Sequence, residues 1–472
     1  MNWVVHPATT ELLLATSPEV VADRMANEFT RTHPLFAARL GFARWQQVTA
    51  VLLAVAVVAG LLFDAETLAA CLGLVGTVLV GLRTALAASA IPRRTAEAAD
   101  PPLPDELLPS YTVIVPAYRE EAVIADTVRC IAAMDYPHDR LEVLVLVENH
   151  DPATKRAVLD ADPPPFVRVV NIPAGAPQTK PRTCNLGLML ARGEFVVIYD
   201  AEDRPEPDQL RKVAARFARS GAGLACVQAR LNFYNGTRNL LTRQFAMEYS
   251  MRYDLMLHGL SALRLPIPLG GSSNHFRTSV LREAGGWDAW NVTEDADLGM
   301  RCAAMGHRIE LVDSTTWEEA VHRPWPWIRQ RTRWLKGFLL TTLVHTRQPR
   351  DAWRRLGGRG LVSLLGVVGG TPVSYFALSL TTVLSLAGAA PPAWIGTVTL
   401  TSSAMYGAVL LYAGKRRGMS VLGLAATMLP GYWSLHWVAA WRALWQLVRS
   451  PFVWEKTEHG TLSPSRVPGG AC

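Results

Sequence analysis

The 472-residue chain is short of charge. Only 18% is Asp, Glu, Lys or Arg and 50% is hydrophobic, where an ordinary soluble domain carries about 25% charged residues. That deficit argues against a wholly soluble protein and calls for membrane segments beside a soluble domain. Zinc spacing is missing as well. Cys71, Cys130, Cys184, Cys226, Cys302 and Cys472 form no CxxC pair and no Cys/His cluster, so they read as small residues of a reducing compartment. The start, MNWVVHPATTELLL, lacks a basic region followed by an apolar core and a small-residue cleavage site, so no signal peptide is expected. Internal repeats, low-complexity tracts and nucleic-acid motifs are absent too. The net charge of +7 is therefore assigned to lipid or to a phosphate-bearing substrate, with no nucleic-acid partner.

Long apolar runs are present. Residues 45–63 and 68–91 are each long enough to cross a bilayer as a helix, with the acidic turn Asp64 to Thr67 between them. Arg39 and Arg44 precede the pair, and Arg93 and Arg94 follow it. The positive-inside rule puts both ends of this hairpin in the cytoplasm. A Pro-rich linker closes the region at 92–110. Further apolar windows lie at 361–388, 395–413 and 421–448, where Pro372 and Pro430 can break a helix. The basic loop 415–417 reads as cytoplasmic, and simple alternation then gives three crossings and a C-terminus outside.

Between the two apolar regions the pattern changes to strand–helix alternation. TVIVP (112–116), LEVLVLV (141–147), FVRVV (166–170) and EFVVIYD (194–200) read as strands. EEAVIADTVRCIAAM (120–134) and PRTCNLGLMLA (181–191) read as helices. The fold class expected is α/β with a mostly parallel sheet, flanked by transmembrane helices. Ligands of such sheets sit at the carboxyl ends of the strands.

Three stretches carry chemistry. YDAEDRPEPDQL (199–210) puts acids where a strand ends, and oxygen ligands there suit Mg²⁺ or Mn²⁺ bridging substrate phosphates. A solvated turn and helix start, with Asp203 and Glu206 at the positive end of the helix, fits as well. NVTEDADLG (291–299) sets Glu294 beside Asp295, and repulsion between neighbouring carboxylates suits a general base. The alternative is again a helix start, capped by Thr293. IRQRTRWLKG (328–337) places Gln330, Arg333 and Trp334 on one helical face. Arginine can clamp a pyrophosphate and tryptophan can pack on a sugar ring. A basic, Trp-anchored helix on anionic lipid is the competing reading.

Taken in order, with apolar helices on both sides, the three stretches resemble the membrane-integrated family 2 glycosyltransferases, the group of cellulose, chitin and hyaluronan synthases. The resemblance covers about residues 111–345 and implies a GT-A, Rossmann-like catalytic domain. VPAYREE implies that Tyr118 and Glu120 lie near the nucleoside. VENHD supplies Glu148 and Asn149 where the family carries an acid pair. TKPRTCNLGL implies Lys180 and Asn185 near the diphosphate and donor sugar. DAED stands for the family's DxD, so Asp200 with Glu202 or Asp203 would hold the metal. TED implies Asp295 as base, with Glu294 beside it and Thr293 near the acceptor. QRTRW implies pyrophosphate contacts from Gln330 and Arg333 and an acceptor platform at Trp334. PFVWEKTEHG (451–460) resembles the family's closing segment, which makes Trp454, Lys456 and Thr457 a candidate lid.

The resemblance implies an inverting, processive transfer from UDP-glucose or UDP-N-acetylglucosamine to a growing β-glycan at the cytoplasmic face, with export through the membrane. Transfer of one sugar to a lipid acceptor is the first alternative. A catalytically impaired component of an export assembly is the second, motivated by Glu148, Asn149 and Glu202. The expected location is the inner membrane, multi-pass, with an accessory subunit as a further expected partner. The organisation expected is a cytoplasmic segment 1–44, a transmembrane hairpin 45–91 and a linker 92–110. A catalytic domain follows at 111–345, then a membrane region 346–448 and a tail 449–472.

Overall fold

The computed structural model describes residues 6–91, 100–221, 223–419, 429–457 and 460. The chain begins with two short helices, α1 (Pro7–Thr16) and α2 (Pro18–Thr32), and continues into the apolar hairpin α3 (Arg44–Phe63) and α4 (Ala65–Ala88). Asp64 caps α4 by accepting from the Thr67 amide at 3.0 Å, so the acidic turn ends one helix and starts the next.

The catalytic region alternates as its apolar pattern demands. It runs β1 (Tyr111–Ala117), α5 (Ile124–Ala132), β2 (Leu141–Glu148), α6 (Pro152–Asp160), β3 (Val167–Ile172), α7 (Lys180–Leu190) and β4 (Phe195–Ile198). Then come β5 (Arg204–Pro205), α8 (Gln209–Arg219), β6 (Leu224–Phe233), α9 (Leu240–Tyr249), a π-helical turn at 250–256 and α10 (Leu257–Ala262). β7 (Asn274–Arg277), α11 (Thr278–Glu283), α12 (Glu294–Ala304), β8 (Arg308–Glu318) and the long α13 (Pro324–Thr346) complete it.

The sheet order is β3-β2-β1-β4-β7-β6-β8-β5. Its first half is parallel, as expected. β7 enters antiparallel between β4 and β6, and the short β5 pairs antiparallel with β8, so the sheet is mixed. Strand alternation builds two cores. Val113, Val115, Val143, Val145 and Val197 face α5 and α8 on one side, and Ile114, Leu144, Leu146, Val196 and Ile198 face α7 on the other. Val21 and Met25 of α2 join the second core, so residues from 6 onward dock on the back of the sheet.

After α13 come α14 (Pro349–Leu361), a π-helical turn at 362–368, α15 (Gly370–Leu386), α16 (Ala393–Arg416) and α17 (Leu429–Arg449). Three described helices, α3, α4 and α16, are long and apolar enough to cross a membrane. The pair α14–turn and α15, bent by 45°, is a fourth candidate. Pro372 lies just after the bend between the π-helical turn and α15, a position where proline kinks a helix. The window at 421–448 lies partly outside the described residues. Its described part, α17, packs along α13: Trp327 meets Tyr432 and His436 at ring distances of 5.1 and 4.7 Å. The segment after α17 then lies against the catalytic domain. Simple alternation puts the C-terminus outside, and the lid reading puts this segment at the domain, which it meets through Lys456 and Glu120. Residues 92–99, with Arg93, Arg94 and the first part of the linker, fall outside the described residues.

Candidate active site

One cavity of about 290 Å³ opens at the carboxyl ends of β1, β2 and β4 and gathers most of the motif residues. β1 delivers Tyr118 and Glu120, β2 delivers Glu148, and the turn after β4 delivers Asp200 and Glu202. α7 begins with Lys180, and α12 with Thr293, Glu294 and Asp295. α13 contributes Gln330, Arg333 and Trp334 from its second and third turns. The segment after α17 closes one wall with Trp454, Lys456 and Thr457.

The start of α12 is built for chemistry rather than for capping. Thr293 occupies the N-cap position, yet its side chain makes no cap hydrogen bond. It packs instead on Gly337 of α13, where an added Cβ would come within 2.3 Å of it. This glycine lets the two helices approach closely enough to share the cavity. Burial, with Asp295 adjacent, pushes the Glu294 carboxyl up to about 8. Burial also raises Asp295, offset by the Ala296 amide that donates to it at 2.8 Å and by Arg252. A carboxylate whose pKa is raised is better matched to proton abstraction than an ordinary one.

Lys180 donates to the Gly271 carbonyl at 2.7 Å and forms an ion pair with Asp200. Burial opposes its charge, but the Asp200 carboxylate holds it protonated. Arg333 stacks over Trp454 at 4.2 Å, and Trp334 lies 6.0 and 6.1 Å from the Phe245 and Tyr249 rings. Buried polar atoms of this wall stay without protein partners, namely Gln330 Oε1 and Arg333 Nε. Buried polar groups normally find partners, so this pair points to a bound polar ligand. Lys456 pairs with Glu120 at 2.9 Å and donates to the Arg119 carbonyl at 2.9 Å, drawing the last segment across the nucleoside end.

Three expected residues do not face the cavity. Asn185 is 1% exposed and spends its amide on the structure. It donates to the Met25 and Trp287 carbonyls at 3.0 and 2.9 Å and accepts from the Trp287 amide at 2.9 Å. It ties α2 and α7 together instead of reaching a diphosphate. Asp203 is fully buried, and its carboxylate accepts from the Asp200 amide at 2.8 Å, bracing the turn. Burial among Asp200 and Glu202 pushes its carboxyl far up, and it does not line the cavity. Among the described residues no group of three His, Cys, Asp or Glu stands ready to hold a metal ion. Asp200 and Glu202 remain as an all-oxygen pair on the cavity wall. Asn149 is exposed after β2 and lies outside the lining.

Motif reading missed Glu318, Arg252 and Arg331. Glu318 ends β8 and lines the acid side of the cavity; burial and the three acids Asp203, Glu202 and Asp200 push its carboxyl well up. The pair of acids at a strand end in TWEEA was its signal. Arg252 comes from the π-helical turn and carries no sequence signal. Arg331, inside QRTRW, lies 4.6 Å over the Trp334 ring and clamps Glu248 with bonds of 2.9 and 2.7 Å.

Residues 109–337 match the family described as glycosyltransferase like family 2. The chain carries a family 2 glycosyltransferase domain. It is 30% identical over 237 residues to the beta-monoglucosyldiacylglycerol synthase of Synechocystis, across 48% of each chain. It is 28% identical to glucomannan 4-beta-mannosyltransferase 1 of Oryza sativa, across 44% of this chain and 41% of that one. The chain thus spans about half the length of the curated relatives it matches. Among solved structures it resembles the mannosyltransferase PcManGT from Pyrobaculum calidifontis, solved with GDP-Man and Mn²⁺. That likeness has a TM-score of 0.52 at 20% identity and covers 79% of this chain and 99% of that chain. The glycosyltransferase domain therefore has the GT-A fold.

Proposed function

We propose that the chain is an inverting glycosyltransferase that moves a hexose from a UDP-sugar, UDP-glucose or UDP-N-acetylglucosamine, to an acceptor hydroxyl at a membrane face. The observation that carries this reading is the convergence of Asp295, Lys180, Gln330, Arg333 and Trp334 on one cavity. Asp295 takes the proton of the acceptor hydroxyl as its oxygen attacks the anomeric carbon, worth about 10²–10⁴ in rate. The glycosidic bond forms on the opposite face as the bond to the diphosphate breaks, and UDP leaves with its electrons. Lys180, Gln330 and Arg333 stabilise the charge that collects on the diphosphate, in a partly dry cavity where such contacts count most. Trp334 holds the acceptor sugar in line. Asp200 and Glu202 would hold Mg²⁺ or Mn²⁺ together with the donor's phosphates, an arrangement such cations accept. The metal supplies charge neutralisation on the departing diphosphate. Tyr118, Glu120 and Glu148 form the nucleoside end. Trp454, Lys456 and Thr457 form a lid over it, and Thr293 flanks the acceptor.

The leading form of this reading is processive growth of a β-linked glycan, supported by the complete QRTRW motif. Transfer of a single sugar to a lipid is the second form. A chamber running from Trp334 toward the apolar helices favours it, as does a relative named for a diacylglycerol glycolipid. Purified chain in a membrane mimic, given Mg²⁺ or Mn²⁺ and a panel of UDP-sugars, separates the forms by UDP release and product size. Long polymer from one donor supports the first, and single-sugar lipid the second. Asp295→Asn must lower UDP release at least 10²-fold while UDP still binds. Wild-type protein that binds no UDP would sink the whole reading.

A further inference from the structure

Next to the site lies a second chamber of about 80 Å³, bounded by α4, α13, α15, α17 and the two π-helical turns. It shares Glu248, Arg252, Arg331 and Trp334 with the site. Its charges do not balance. Glu248 is already neutralised by the two-pronged Arg331, and it accepts the Tyr432 hydroxyl at 2.5 Å. Arg83 and Arg252 also line the chamber. Neither reaches a carboxylate within ion-pair distance among the described residues, and only Arg252, which acts on Asp295 from the site side, has an acid near it. Arg83 is 8% exposed, on a helix apolar enough to cross a membrane, and its guanidinium meets only neutral acceptors, Thr371 at 3.0 Å, Ser374 at 2.7 Å and the Leu79 carbonyl at 3.4 Å. Arg252 donates at 3.4 Å to the Leu269 carbonyl, and its Nε has no partner. His436, 1% exposed, turns Nε2 to the same space at 3.7 Å from Glu248, and that atom makes no hydrogen bond.

A buried cation without a counter-charge is costly, and inside an apolar helix bundle it marks a ligand path. Two guanidinium forks suit a tetrahedral oxyanion that accepts several bonds at once. The volume equals roughly two or three waters, enough for such a group. We propose that this chamber receives a phosphoryl ester carried by the acceptor, with Arg83 and Arg252 as its counter-charge. The acceptor hydroxyl then lies over Trp334 beside Asp295 while the phosphoryl group sits toward the bilayer. The inference rests on the transferase reading and adds the class of its acceptor.

The test uses the full chain in maltoside micelles, which bring no phosphate. Binding of dodecyl phosphate, dodecanol and glucose 1-phosphate is read by native mass spectrometry, with UDP binding measured on the same samples. Dodecyl phosphate is expected to bind at least tenfold more tightly than dodecanol. Arg83→Gln should erase that preference, and Arg83→Lys should keep part of it. Preference for dodecyl phosphate alone means the phosphoryl group comes from a lipid. Binding of glucose 1-phosphate as well, lost in Arg83→Gln, means a soluble sugar phosphate also supplies it. Wild-type protein that binds UDP but treats dodecyl phosphate and dodecanol alike, and ignores glucose 1-phosphate, overturns the proposal. That comparison needs no variant to fold. A preference for phosphate that survives Arg83→Gln in protein still binding UDP overturns it too. Loss of UDP binding in the wild type would instead strike the transferase reading.

Discussion

Glu294 and Asp295 are neighbours in sequence but have different surroundings. Glu294 is held near pH 8 by burial, so the folded chain keeps a proton that the unfolded chain releases above about 4.5. The folded state binds more protons across that window, and its stability must fall as pH rises from about 4.5 through 8. Glu294→Gln should flatten this decline, measured as unfolding midpoints in steps from pH 5 to 8 without nucleotide. Asp288, raised to about 7 by burial, leaves a residual slope of the same sign. An unchanged slope in the variant would show that Glu294 is ionised in the folded protein. Lys456 makes a second residue-scale case. It is tied to Glu120 at 2.9 Å at the nucleoside end. A charge-assisted bond to a ligand is worth about 1.5–3 kcal/mol, so Lys456→Ala should weaken UDP binding about tenfold or more in calorimetry. Unchanged affinity would reduce the lid to packing.

At the scale of elements, the spacing between α12 and α13 decides whether base and clamp face each other. Gly337 touches Thr293, Thr341 accepts from Asn291 at 3.0 Å, and His345 meets Asp297 at 2.9 Å. These three residues recur every four positions along α13, so one stripe of the helix docks on the TED region. Gly337→Ala forces a methyl into the closest of these contacts. Overpacking of this kind costs about 1–3 kcal/mol. A shift of Arg333 and Trp334 relative to Asp295 by about 1 Å should cost about 10²-fold in rate. Unfolding midpoint and UDP release on one sample check both. A variant less stable yet equally fast would show that helix spacing does not set the geometry.

At the scale of the molecule, the parts outside the catalytic domain hold it in shape. α2 buries Phe29 to 1% exposure under the Arg301 guanidinium, 4.4 Å away, and Arg301 in turn pairs with Asp297 of α12 at 3.0 Å. The N-terminal segment therefore supports the helix that carries the base. Phe29→Ala should cost about 3–5 kcal/mol of stability, read by denaturant unfolding. A loss under 1 kcal/mol would mean that the segment is only loosely docked. On the far side, α17 follows α13 and returns the chain to the cavity mouth, where Arg442 holds Glu455 through two bonds.

Local patterns were enough for much of this protein. Valine- and isoleucine-rich runs dictate β1, β2 and β4, because alternate residues must cover both faces of a sheet. Acids and cations at strand ends and helix starts could be placed for the same reason, and most line one cavity. Spacing could not choose between Glu202 and Asp203 as the second acid. Glu202 lines the cavity and Asp203 turns back to brace the turn, a difference the whole fold decides. Asn185 sits in a matching motif yet bonds to α2, a contact across 160 residues. The antiparallel entry of β7 and the pairing of Glu248 with Arg331 were likewise invisible. Each joins groups far apart in the chain, and local periodicity carries no record of distant partners. The apolar runs by themselves determined that helices would flank an α/β domain. Only tertiary packing decided which charges those helices leave without a partner.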